Sequence, residues 1–285
     1  MQVEALNMKD LPNLSGAQIS LATALLLLTT VAIAQLPPVP EPLPQQKAPQ
    51  GSFTRTVEGQ DLTGVWMIKG YVGSGAPIEK RILRDMNGDL VPTQPWAEKL
   101  YQERIANEIN GHTFPGPPTS CLPHGMPQMM WAATYPVQIL QTPRQVTFIH
   151  ELARQYRIVH LDRGHPDPED LDSTYYGDSV GWWEGDTLVI DTIGLTKKNT
   201  LDMLGMPTSD QMHVIERIKR PTNDKLDILI TVDDPGVFTK PWTRHLTYAL
   251  QPRNIEVTEY ICLDGNRNPV VNGRVTIDGR VGPSP

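Results

Sequence analysis

The sequence predicts an all-β fold: one antiparallel meander closed into a single barrel, with one amphipathic helix and with a β-sandwich as the alternative. Three observations lead there. From Pro136 onward hydrophobicity alternates with period two through four strand-turn-strand units, and no helical pattern interrupts them. The connections are polar and hold Gly or Pro, and the 27 prolines and 22 glycines are spread through such turns without a repeat period. A meander of about ten strands closes or splits into two packed sheets, and closure removes the exposed edges that invite aggregation.

The elements follow in order. Residues 1–34 read as a signal peptide: "ISLATALLLLTTVAIA" is a long uncharged apolar run, and Ala32-Ile33-Ala34 is a small-x-small cleavage site. About sixteen apolar residues are short for a membrane span, so a retained anchor is the alternative and not the reading adopted. Residues 35–51, "QLPPVPEPLPQQKAPQG", form a proline-rich leader that cannot pack. The folded domain is then 52–285, opening with a strand in "DLTGVWMIK" and a hairpin around Asn87-Gly88. Helix 94–110 follows. Pro95 stands at its start, Gly111 at its end, and Trp96, Leu100, Tyr101, Ile105 and Ile109 recur at helical spacing.

The four hairpin units are "PVQILQTPRQVTFIHE", "GWWEGDTLVIDTIG", "HVIERIKRPTNDKLDILITVDDP" and "RHLTYALQPRNIEVTEYIC". In the second, Glu184-Gly185-Asp186 is the turn, and Trp182 and Trp183 point to opposite faces of one strand. Export places Cys121 and Cys262, the only cysteines, in an oxidising compartment, where pairing is the simplest expectation and two buried free thiols the alternative.

"TGVWMI" looks like the Gly-x-Trp opening strand of lipocalin-like barrels. In addition, "CLPHGMP", "GWWEGDTLVIDTIG", "HVIERIKR", "VDDPGVFTKPWT" and "EYIC", in this order from Cys121 to Cys262, resemble a widespread group of exported bacterial proteins. The resemblance implies export and carries no activity with it. The chain departs from the group at Trp182, where arginine is more usual, and in "NTLDMLGMPTSD", which lacks a histidine and a tryptophan.

The chemistry is read from residues. A net charge of −7 without a basic run argues against nucleic acid as a partner. With no Gly-x-Ser-x-Gly elbow, phosphate-cradling loop, dinucleotide fingerprint or His-Glu-x-x-His helix, no cofactor is expected. His150, Glu151, His160, Asp162 and His165 are a grouping from which a metal site could in principle be built, and the reading takes no metal.

Period two in "RQYRIVHLDRGHPD" puts Tyr156, Ile158, His160 and Asp162 on one face, so that His160 and Asp162 are candidates for paired acid–base work or for a solvated hairpin face. His213 is the third catalytic candidate. On a regular strand it cannot share a face with Glu216, and Arg217 is assigned a cross-strand ion pair with Asp191 or Glu259. Asp233 and Asp234 belong to a turn whose amides they cap. Trp183, Lys240 and Trp242 are the candidates for holding a ligand, by ring contact and positive charge at a barrel mouth, with core packing as the alternative for Trp242.

The reading is an exported barrel enzyme, isomerase, lyase or hydrolase, acting by His/Asp acid–base catalysis on a small, partly apolar organic molecule. The alternative is a small-molecule binding protein of the same shape. No membrane contact is expected after signal cleavage, and the oligomeric state is not predicted.

Overall fold

The computed structural model describes residues 60–73, 75–131 and 135–262, together with the backbone of three short strands beyond them. The signal peptide, the proline-rich leader and the start of the predicted domain lie outside the described residues. Among the described residues no helix is long and apolar enough to cross a membrane.

Nine strands close into a barrel in chain order: β1 (Gly64–Ile68), β2 (Val137–Gln141), β3 (Gln145–His150), β4 (Gln155–His160), β5 (Asp178–Glu184), β6 (Thr187–Ile193), β7 (His213–Thr222), β8 (Lys225–Asp233) and β9 (Trp242–Leu250). β1 pairs with both β2 and β9, which closes the sheet. A separate three-stranded sheet is formed by β10 (Val270–Val271), β11 (Arg274–Ile277) and β12 (Arg280–Val281).

Alternation sets the two faces. In β7, Val214, Glu216 and Ile218 point inward and are fully buried, and in β8 so do Leu226, Ile228, Ile230 and Val232. Register carries the same inner face across to Trp242, Arg244, Leu246 and Tyr248 of β9. The turn between β5 and β6 is the predicted one: Gly185 has φ 62°, a left-handed value that glycine adopts without strain at the first connecting residue of a hairpin.

Four expectations are corrected. The chain is not antiparallel throughout, because β4 and β5 run parallel, Val159 opposite Ser179, joined by the long connection 161–177. That connection starts directly after His160, so Asp162 lies beyond the strand and does not share its alternation. The second arm of the fourth unit, "NIEVTEYIC", forms no strand, and its side chains Ile255 and Ile261 are exposed. The hairpin at Asn87-Gly88 shrinks to one bridge, Arg84 with Leu90, its turn capped by Asp85.

The predicted helix is α1 (Pro95–Ile109), but it docks on a narrower face than its apolar spacing suggests. Ala97 and Tyr101 are buried, whereas Trp96 and Ile109 are exposed. Tyr101 anchors it: its hydroxyl donates to Asp202 and accepts from the Leu83 amide at 3.2 Å.

Segments 122–131 and 199–206 pack onto the inward side chains of β9. Trp131 donates to the Leu201 carbonyl at 2.8 Å and its ring meets that of Trp242, and Tyr248 donates to the Met130 carbonyl at 2.5 Å. Met126, Met129, Met130, Leu201, Leu204 and Met206 thereby join the core. The Cys121–Cys262 disulfide, with Cα atoms 5.7 Å apart, ties this region to the chain that leaves the barrel after β9.

Candidate functional site

Three polar assemblies stand out, and the sequence candidates are divided among them. The first lies on the outer face. His213 opens β7, where alternation turns it away from the core, and its Nε2 is 2.5 Å from Asp191 Oδ1 on β6. The connection 161–177 lays His165 over the same wall, with Nδ1 2.7 Å from Asp178 Oδ1 on β5 and Nε2 3.7 Å from Asp191. Arg163 completes the group by donating to Asp178 at 2.5 Å.

The electrostatics of this group follow from its geometry. Burial opposes a charge on His165, but the hydrogen bond to Asp178 and the negative charges of Asp178 and Asp191 outweigh it and raise the imidazole to about 9. Burial would likewise raise the two carboxyls. His165 with Arg163 pulls Asp178 down to about 2, and His165 with His213 does the same for Asp191.

His160 and Asp162 do not form a pair. Asp162 is exposed and accepts from Arg144 at 2.6 Å, which holds its carboxyl below the usual range. His160 is half-buried at the end of β4, and burial together with the Arg163 charge lowers its imidazole. Arg217 pairs with Glu184 at 2.6 Å, and neither Asp191 nor Glu259 is its partner.

The second assembly is a cavity of about 450 Å³. β1 stops at Ile68 opposite Tyr248, so the stretch of β9 from Arg244 to Leu246 has no strand on that side. The gap is bounded by the bonds of Lys69 to Thr247 and of Met86 to Thr243. Ile68, Ile82, Leu246, Leu204 and Trp131 supply apolar wall.

Arg244 points inward here with its guanidinium carbon 4.9 Å from the centroid of the Trp131 ring. Among the described residues no carboxylate lies within ion-pair distance of Arg244, and burial lowers its affinity for a proton. Lys69, Lys80 and Arg81 also border the cavity, against the single carboxyl of Asp202. That carboxyl is already engaged, by Tyr101 and by the amides of Leu204 at 3.0 Å and Met206 at 2.9 Å, and burial raises it.

The third assembly is inside the barrel. Arg157 and Glu216 form an ion pair whose side chains are 1% and 0% exposed, with Ser179 and Thr192 accepting further bonds from the guanidinium. Nearby His150 is pushed down to about 3 by burial and by the charges of Arg157 and His124, and is therefore neutral.

None of His160, Asp162, His213, Trp183, Lys240 and Trp242 borders the cavity. Trp183 packs against the core from the inner face of β5, Trp242 is buried against Trp131 and Phe238, and Lys240 is exposed. Sequence reasoning passed over Arg244, Trp131 and Asp202. Arg244 carried a readable signal, an arginine at an inward position of "WTRHLTYAL", but its neighbours come from loops far away in the chain. Among the described residues no three His, Cys, Asp or Glu side chains form a group that could hold a metal ion. Comparisons of the chain with protein-family models, with curated proteins and with solved structures each found no match.

Proposed function

We propose that this is an exported β-barrel that binds a small, partly apolar organic anion, with Arg244 as the anchoring cation. The observation that carries the reading is the inward guanidinium of Arg244, stacked on Trp131 and without an ion-pair partner among the described residues, at the wall of a 450 Å³ cavity. That volume suits a small ligand, and a half-buried guanidinium offers a carboxylate two parallel hydrogen bonds. The bordering lysines give the cavity a positive balance in a chain of net charge −7, so the anion preference is local. Export rests on the apolar run before Ala34, and the disulfide suits an oxidising compartment.

The test is a titration of the mature protein with small aromatic and aliphatic carboxylates and with their neutral amides. Carboxylates bind, amides do not, and Arg244→Met weakens binding at least about tenfold, a loss of about 1.4 kcal/mol. Equal affinity of Arg244→Met and the parent protein would remove the proposal.

A second reading is acid–base catalysis at His213, favoured by the 2.5 Å contact that lets Asp191 orient the imidazole and leaves its other nitrogen available. Turnover lost in His213→Gln with the cavity's affinity intact would select it.

A further inference from the structure

We infer that the interior of the barrel holds a second site, at which ordered water binds the free atoms of Arg157 and Glu216 on the side of His150 and Tyr176. Glu216 uses only one carboxylate oxygen on Arg157, and Arg157 spends Nε on Ser179 and Nη2 on Glu216 and Thr192. The remaining atoms, Arg157 Nη1 and Glu216 Oε1, are buried and have no hydrogen-bond partner among the described residues. The same holds for His150 Nε2 and for the hydroxyl of Tyr176.

Arg157, Glu216 and His150 all lie on the inner face of the barrel. His150 and Phe148 are successive inward residues of β3, Phe148 is the register partner of Arg157, and the guanidinium carbon lies 5.7 Å from the Phe148 ring. Arg157 also acts electrostatically on both His150 and Tyr176.

The chemistry of the four atoms selects the occupant. Arg157 Nη1 can only donate and Glu216 Oε1 can only accept. His150 Nε2 does one or the other according to tautomer, and the Tyr176 hydroxyl does both. An anion placed there would meet the free carboxylate oxygen, and a cation would meet the guanidinium. Water serves donors and acceptors alike, and buried water characteristically takes two to four such partners. A buried ion pair is tolerated only when its remaining donors and acceptors are met, so water is what lets Arg157 and Glu216 sit in the core. The inference is independent of any ligand in the Arg244 cavity.

The test is a crystal structure of the oxidised mature protein at a resolution that shows solvent, together with water oxygen-17 relaxation in solution. Expected is at least one ordered water within hydrogen-bond distance of Arg157 Nη1 or Glu216 Oε1, and fewer long-lived internal waters in the Arg157→Met/Glu216→Leu double variant than in the parent. Should that variant fail to fold, His150→Phe, which removes one lining nitrogen and adds volume, is expected to lose at least one such water. Dry protein contacts around both atoms, ion density beside them, or an unchanged number of long-lived waters would each overturn the inference.

Discussion

His213 Nε2 stands 2.5 Å from Asp191 Oδ1, and the same oxygen faces His165 Nε2 at 3.7 Å, so one carboxylate on β6 draws a strand histidine and a loop histidine to the outer wall. The contact pins connection 161–177 where β4 and β5 run parallel. It also makes stability depend on pH at both ends of the range.

His165 is raised to about 9, above an unfolded value of about 6.5. Its contribution is complete below the unfolded value and is lost as pH rises through about 9. Asp178 and Asp191 are lowered to about 2, so theirs is present above the unfolded value of about 3.9 and lost as pH falls through about 2. Discounted for solvent screening of a half-exposed group, His165→Gln is expected to lower stability by roughly 2 kcal/mol at pH 6, and the deficit should shrink above pH 9. Urea unfolding at both pH values checks this, and a deficit of the same size at both would sink it.

The Arg157–Glu216 pair is expected to be strongly coupled. Glu216→Leu alone strands a buried guanidinium and should cost about 3–5 kcal/mol. Adding Arg157→Met should recover part of that loss. A double-mutant cycle in guanidinium chloride measures the coupling, and additive losses would show that the two charges are not held together.

Reducing the disulfide should lower the unfolding midpoint. The bridge spans a sequence separation of 141 residues, for which the chain-entropy model gives at most about 5 kcal/mol. Denatured mature protein made by the export route should show no titratable thiol without reductant. Two thiols there would mean that the cysteines are not paired in protein made that way.

The docking face of α1 can be separated from its solvent face by substitution. Tyr101→Ala removes a buried ring and the donor to Asp202 and should cost about 3–5 kcal/mol. Ile109→Ala, at a position 60% exposed, should change stability by no more than about 0.5 kcal/mol. Similar losses for both would mean that the helix buries a wider face.

Local pattern was enough for the β2–β3, β5–β6 and β7–β8 hairpins and for the division of β7 into two faces. Period two and turn chemistry are local, so "HVIERIKR" announces that Glu216 and His213 face opposite ways before any strand is paired. The helix was legible for a similar reason, though its buried face was not. Trp96 and Ile109 fit the apolar spacing, and only the position of Asp202, a hundred residues on, decides that Tyr101 is the residue that docks.

Tertiary structure alone decided the sites. Alternation says that Arg244 points inward, but not that β1 ends opposite Tyr248 and leaves a gap there, or that Trp131 arrives under the guanidinium. The parallel pairing of β4 and β5 carries His165 back over β5 and β6, where it meets Asp178 and Asp191 instead of the nearby Asp162. Each of these contacts joins side chains from separate elements through a long connection. Their proximity is set by where strands stop and loops land, and a periodicity that repeats every two residues holds no record of that.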